Sequence, residues 1–327
     1  MKKINIAVWS LGRHALMRVI PAICNMNNLS LTGVFSRNTD LVMNTASEWG
    51  CVGWSNAEEM LKDPKVDVIY IASPIGIHAE QIALCLESGK HVWCEKPLTC
   101  SYEDTKRLVA FAKNNNRMLV EAFMYFYHPQ FQKVKEFVND KNNGNLYSIS
   151  CKFGMPLLEK PGFRYESSLG GGAFWDIASY PVSLVVELLS SNDAKVLFAE
   201  IITRDNNSVD TEGRALLKFS NNISTYLEWG MEVGYRNEID LWAEKGSFYT
   251  DKIFSKHEKY TPEYRIRDVN GNESLESGKN SEQFIDMLNR FYTIYHSPDL
   301  VMNEYQSILQ RAKILNQVLR YASNEIT

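Results

Sequence analysis

At 327 residues the chain is longer than one hydrophobic core commonly serves, so two domains are expected. Its composition, 45% hydrophobic and 23% charged, is that of an ordinary globular protein, and no apolar run approaches the roughly 18 residues of a membrane span. A net charge of −4 gives no electrostatic reason to expect a nucleic acid or an anionic membrane as partner.

Lys2, Lys3 and the apolar run 4–11 imitate a signal peptide, but Arg13 and His14 stand where a small-residue cleavage site belongs. The run reads instead as a first strand, Ile4–Trp9. Ser10-Leu11-Gly12-Arg13-His14-Ala15 follows, then a helical stripe of Ala15, Leu16, Val19, Ile20 and Ile23, which Pro21 is expected to kink. Strand, tight turn and helix are the context of a dinucleotide fingerprint, G-x-G-x-x-G/A. Here Ser10 holds the first place, Gly12 the second and Ala15 the third. Gly12 would admit a pyrophosphate close to the backbone, with the helix N-terminus holding it. A plain βα turn is the alternative.

A second strand, 31–35, ends in Ser36-Arg37-Asn38, with no acid before Asp40. An acid at this strand end would bond the ribose 2′-hydroxyl of NAD, whereas Ser and Arg suit the 2′-phosphate of NADP. NADP is therefore expected, with NAD possible. Helices at 41–49 and 57–61 flank a short segment at 51–54. The continuous apolar run 67–73 reads as a central parallel strand ending at Ser73-Pro74. His78 opens the next helix, which Gly89 closes.

Val92-Trp93-Cys94 is a further strand, and it stops at Glu95-Lys96-Pro97, because proline lacks an N–H for the ladder. An acid and a base at a strand's carboxyl end lie where open α/β sheets bind ligands. Ser101-x-x-Asp104 caps the following helix, and 118–122 is the next strand. Strand and helix thus alternate from residue 4 to about 122, which argues a doubly wound parallel sheet in residues 1–123.

From 124 the pattern changes. After a helix, Pro129–Asn139, strand-like runs at 146–153, 196–203, 215–219, 223–228 and 238–243 follow with few helices between them. Asn221-Asn222 reads as a hairpin turn. Residues 124–327 are therefore expected to form an α+β domain with a mainly antiparallel open sheet that also carries a homodimer or homotetramer interface. Late helices at 282–295 and 304–321 are candidates to pack back on the first domain. Between the strands lies Gly162-Phe163-Arg164-Tyr165 and then Gly170-Gly171-Gly172, leading to Asp176-x-x-x-Tyr180-Pro181. Three glycines allow tight backbone geometry, and Asp176 and Tyr180 share a face if helical. Arg164 is either a clamp for a substrate anion, with Lys160 beside it, or a surface arginine.

Six cysteines (24, 51, 85, 94, 100 and 151) are scattered without a C-x-x-C, as in a reduced cytoplasmic protein, and no motif requires a metal.

Together, Ser10-Leu11-Gly12 after a strand, Ser36-Arg37, Glu95-Lys96-Pro97 and the triple glycine leading to Asp176 and Tyr180 resemble the Gfo/Idh/MocA oxidoreductases over nearly the whole chain. The tyrosine at 180, where many members carry histidine, is similar to the glucose–fructose oxidoreductase, dihydrodiol dehydrogenase and sugar-nucleotide 3-ketoreductase branch. Ile75 stands where many relatives have asparagine.

The resemblance implies a Rossmann domain that binds NAD(P) and a second domain for substrate and oligomerisation. It also implies a lysine, Lys96, that serves cofactor and substrate together. The cofactor would meet Ser10, Leu11, Gly12, Arg13, His14, Ser36, Arg37, Ser73, Pro74, His78, Glu95 and Lys96. Hydride transfer to or from a sugar, sugar nucleotide or cyclic polyol or ketone needs a proton donor and acceptor at the substrate oxygen. Tyr180 is the expected acid/base, Lys96 the polariser and Asp176 the orienting group, with Arg164, Asp176 and Tyr180 meeting the substrate. The contrasting reading is a ligand-sensing regulator that binds dinucleotide without turnover.

Overall fold

A computed structural model describes residues 3–159, 162–189, 194–204, 207–220 and 222–324, the side chain of 324 excepted. The chain divides into two compact units. The first comprises Met1–Phe123 and Phe284–Leu309, the second Met124–Gln283 and Gln310–Thr327.

In the first unit β1 (Ile4–Trp9), β2 (Leu29–Phe35), β3 (Val52–Gly53), β4 (Val68–Ile71), β5 (His91–Cys94) and β6 (Leu119–Glu121) form one sheet. Their order is β3-β2-β1-β4-β5-β6, with every pairing parallel. The connecting helices are α1 (Ile20–Cys24), α2 (Thr39–Trp49), α3 (Ala57–Lys62), α4 (His78–Glu87) and α5 (Tyr102–Asn114). β4 is buried at every residue, as a strand covered on both faces must be. Asn38, Asn56 and Ser101 cap α2, α3 and α5 by accepting backbone N–H groups, the last from Asp104 as the capping pattern predicts. Tyr305 and Ile308 join the core formed by Ile69, Ile71, Val92 and Cys94.

Pro21 lies inside one helical stretch, Ala15–Cys24. A π-helical turn, Ala15–Val19, precedes α1, and Pro21 falls in the first turn of α1. A proline cannot donate to the carbonyl four residues back and crowds it, and the widened turn relieves that conflict.

The second unit holds an eight-stranded sheet. Its strands are β7 (Leu146–Met155), β8 (Ala194–Ile202), β9 (Glu212–Phe219), β10 (Ser224–Met231), β11 (Arg236–Ala243), β12 (Gly246–Asp251), β13 (Glu263–Asp268) and β14 (Glu273–Ser277). The order is β14-β13-β12-β11-β7-β10-β9-β8; β7 and β10 are parallel and the other neighbours antiparallel. Strict alternation of burial along β9 shows one covered face and one open face. Asn221 lies outside the described residues, while Asn222 takes a left-handed φ of 67° between the antiparallel β9 and β10.

Helices α6 (Pro129–Asn139) and α7 (Ser179–Leu189) complete this part of the chain, followed by α8 (Gln283–Tyr295) and α9 (Pro298–Asn324). The helical stretch Ser167–Leu189 is long and apolar enough by composition to cross a membrane, contrary to the expectation from the sequence; 83% of its apolar 18-residue window is buried, and α7 packs on β7 and β10.

His91 and His128 serve as neutral hydrogen-bond acceptors. His91 Nδ1 accepts the Met118 N–H at 2.8 Å, and His128 Nδ1 accepts the Gln130 N–H at 3.0 Å. Burial, helped by the Arg117 charge, pushes His91 down to about 4; burial, helped by Lys256, pushes His128 to about 3. A folded-state value below the unfolded one means that the unfolded chain takes up protons first. The stability these rings contribute is complete above the ordinary histidine value near ~6.5 and is lost as pH falls toward those depressed values. His91→Asn, which keeps an acceptor but does not titrate, should lose less stability than the parent between about pH 6.5 and 4 in thermal melts. Equal losses would show that His91 titrates alike in both states.

Candidate active site

The register of the parallel sheet brings together the candidate residues of the first unit. Phe35, Trp9, Ile71, Cys94 and Glu121 stand level across β2, β1, β4, β5 and β6. The residues just beyond this row share the carboxyl edge of the sheet. Backbone hydrogen bonds from Ser10 to Phe35, Ala72 to Trp9, Glu95 to Ile71 and Ala122 to Cys94 hold that edge at 2.7–2.9 Å. The strand order reverses between β1 and β4, where doubly wound sheets open a ligand crevice.

Ser10 has a φ of 82°, so it occupies the left-handed conformation for which the fingerprint normally uses glycine. Leu11 is buried, whereas Gly12, Arg13 and His14 are exposed. A Cβ built on Gly12 meets nothing within 4 Å, so the turn offers bare backbone to open space. No side chain caps the helical segment that follows, and its first turn carries no acid. These features fit the pyrophosphate of a dinucleotide, whose charge the uncapped N–H groups would hold. Ser36 is half-buried and Arg37 exposed, both just before α2.

Ser73 is buried and donates from its hydroxyl to Gln81 Oε1, with Pro74 next to it. His78 is fully buried, with both ring nitrogens against backbone carbonyls. Glu95 accepts from the Tyr70 hydroxyl at 2.7 Å and pairs with His14 Nε2 at 3.1 Å. The His14 ring in turn lies edge-on to Phe284. Burial raises the Glu95 carboxyl, but His14, Tyr70 and Lys96 more than offset it and hold the group below the usual carboxylate value. Lys96, 8% exposed, follows directly, and its peptide bond to Pro97 is cis.

The second unit supplies the other candidate residues. Gly171 and Gly172 are required by the chain's own packing. A Cβ on Gly171 would lie 2.6 Å from the Arg164 carbonyl; one on Gly172, whose φ is 111°, would lie 2.2 Å from Asp210 Oδ1. Asp210 accepts the Phe174 N–H at 2.6 Å through Oδ2, while its backbone carbonyl accepts from Ala173. Burial pushes its carboxyl up to about 6 against these bonds. Gly172→Ala should therefore cost about 1–3 kcal/mol of stability, read from the denaturant midpoint. An unchanged midpoint would mean that Asp210 and the loop can give way.

Phe174–Ala178 is a second π-helical turn, again just ahead of a helical proline, Pro181. It carries Asp176, 5% exposed, whose Oδ2 pairs with Arg164 Nε at 2.6 Å. Arg164 and Asp176, expected separately as ligand groups, thus neutralise one another. Tyr180, in the first turn of α7, has its ring among Phe153, Phe254 and Tyr125 with centroids 5.1–6.1 Å away. Its hydroxyl lies 4.0 Å from the Met124 sulfur. Lys160 lies outside the described residues. Sequence reasoning overlooked Asp210 and Glu121. An acid inside the buried run of β6 was a legible signal for Glu121, whereas nothing near Asp210 marks its tie to residue 174.

Comparison with known proteins agrees with this layout. Residues 4–123 match the profile of an oxidoreductase family with an NAD-binding Rossmann fold, and residues 131–249 match the GFO/IDH/MocA C-terminal domain. The dTDP-3,4-didehydro-2,6-dideoxy-alpha-D-glucose 3-reductase of Saccharopolyspora spinosa is 31% identical over 81% of this chain and 80% of that protein. The trans-1,2-dihydrobenzene-1,2-diol dehydrogenase of Xenopus laevis is 29% identical over 59% and 58%. The crystal structure of KijD10, a 3-ketoreductase from Actinomadura kijaniata in complex with NADP and TDP-benzene, superposes with a TM-score of 0.90 at 25% identity, covering 98% of each chain. The chain accordingly belongs to the Gfo/Idh/MocA family of oxidoreductases, with a Rossmann domain of the NAD-binding type followed by the family's C-terminal domain.

Proposed function

We propose that the protein is an NADP-preferring reductase of a sugar-nucleotide ketone. The observation that carries this reading is the exposed, uncapped Gly12 turn on the same sheet edge as Lys96. Ser36 and Arg37 at the end of β2 supply a hydroxyl and a cation for a 2′-phosphate, and the relatives that reduce dTDP-sugars favour the substrate class.

When bound, a reduced nicotinamide supplies the hydride. The chain's own residues handle the proton and the charge. Tyr180 gives its phenolic proton to the oxygen of the carbonyl being reduced, and Lys96 stabilises the negative charge that gathers there. Asp176, held by Arg164, orients substrate hydroxyls. The phenolate left on Tyr180 is reprotonated from solvent to close the cycle.

Two further readings accompany this one. The exposure of Tyr147 and Trp242, 64% and 59% and in edge contact at 4.9 Å, supports reading the open face of the second sheet as the contact between copies in a homodimer or homotetramer. All six thiols are unpaired, which favours a reducing compartment such as the cytoplasm.

Calorimetric titration of nucleotide-free protein with NADPH and NADH tests the cofactor assignment. NADPH should bind at least about tenfold more tightly, as expected for a charge-assisted contact to the extra phosphate. Arg37→Ala should remove most of that difference. Tighter binding of NADH would overturn the role of Ser36 and Arg37, and no binding of either would overturn the enzyme reading itself.

A further inference from the structure

His78 lies at the start of α4 between the loops that follow β4 and β5. Its Nε2 is 2.9 Å from the Ser73 carbonyl and its Nδ1 is 3.1 Å from the Pro97 carbonyl. The ring is wholly buried. Burial holds the imidazole below its ordinary value, although the Ser73 and Pro97 carbonyls and the Glu95 charge pull the other way. A neutral ring has one N–H, so one of the two contacts is a hydrogen bond and the other is enforced by packing.

The same loop is tied from its other side. The Leu98 N–H donates to Glu121 Oε1 at 2.7 Å, and Glu121 is 4% exposed at the end of β6. The residues next after Lys96 therefore meet the His78 ring at the Pro97 carbonyl and are held by Glu121 at the Leu98 N–H. Lys96 itself leaves a buried strand whose register is fixed on both sides, by β4 and by β6.

We propose that His78 is a positioning residue for Lys96: by gripping the Pro97 carbonyl opposite Glu121, it fixes the backbone from which the Lys96 ammonium reaches the substrate oxygen. This inference rests on the reading of Lys96 as the polarising group. The resemblance groups His78 with the cofactor residues, but its ring is wholly buried with both nitrogens against carbonyls, so it acts through Lys96 and Pro97 rather than by touching cofactor or substrate.

Two amide variants separate the two contacts. The amide nitrogen of asparagine stands near the place of Nδ1 and retains a donor to Pro97. That of glutamine stands near Nε2 and retains only the donor to Ser73. Misplacing a reacting group by ~1 Å can cost about 10²-fold in rate. His78→Gln should thus lower kcat for ketosugar reduction by about 10- to 100-fold, with the Kd for NADPH within about threefold of the parent. His78→Asn should keep kcat within about threefold.

A crystal structure of His78→Gln should show residues 96–98 displaced and β5 in place. Equal kcat in both variants, or a loss matched by lost NADPH affinity with the loop unmoved, overturns the proposal. Should the parent protein reduce no sugar ketone with NADPH, the functional reading falls by itself. The loop in the His78→Gln crystal then still decides the positioning role, displacement supporting it and an unmoved loop refuting it.

Discussion

Tyr180→Phe is expected to slow reduction of a sugar ketone by about 10²- to 10⁴-fold, the range for losing a positioned proton donor. The substitution removes one oxygen and nothing else. The ring keeps its contacts with Phe153, Phe254 and Tyr125, and the 9% exposure of this residue shows how closely the surroundings already hold it. α7 should fold as before, since Ser183 donates to the Tyr180 backbone carbonyl rather than to the phenol. The melting temperature and NADPH affinity should therefore stay close to those of the parent while kcat falls. Parent-like turnover in Tyr180→Phe would remove the phenol from the mechanism and return the assignment of the proton donor to other residues.

The distinction between residues that carry chemistry and residues that carry geometry explains what was legible in the sequence. The parallel sheet was legible because strand and helix alternate, because a strand such as β4 is short, β-branched and buried on both faces, and because Ser101 announces its helix by local capping. Glu95-Lys96-Pro97 stood out because a charge pair and a proline interrupt an apolar strand.

Long-range pairings were not legible. Asp210 meets Phe174 across 36 residues, and Arg164 meets Asp176 across an irregular loop. No local periodicity encodes either contact. β12, β13 and β14 were also missed. The last is exposed at every residue, so the alternation that betrays a half-buried strand is absent. The triple glycine shows the same limit from the other side. Its sequence suggested close approach of a ligand, but Gly171 and Gly172 make room for Arg164 and Asp210 of the same chain.

Two features of the site are joined by one physical cause. Two of the helices that carry candidate ligand groups near their starts, the one after Gly12 and the one bearing Asp176, contain a proline preceded by a π-helical turn. The turn accommodates the missing N–H and also rotates the residues ahead of it relative to those behind. His14 stands just ahead of the first such turn and Asp176 within the second, so the widened turns bear on the orientation of both. That orientation is invisible to a reading that assumes 3.6 residues per turn.

Lys96→Met should lower kcat by about 10²- to 10³-fold, as expected when a preorganised charge is withdrawn from a developing oxyanion. Methionine approximates the length of the lysine stem, so packing around this 8%-exposed side chain is largely kept while the ammonium is lost. Lys96→Arg should also be impaired despite its charge. A planar fork does not fit where a point charge is held by a loop fixed at Pro97 and Leu98. If the lysine only anchored the loop, both variants would melt earlier and bind NADPH poorly, with kcat of the remaining folded enzyme near that of the parent. If it polarises the substrate oxygen, both should melt and bind nearly as the parent does, and the loss should appear in kcat. Steady-state kinetics with a dTDP-ketosugar, set beside calorimetry with NADPH, separates these outcomes. Retention of kcat within about threefold in Lys96→Met would leave this lysine a structural residue at the end of a strand.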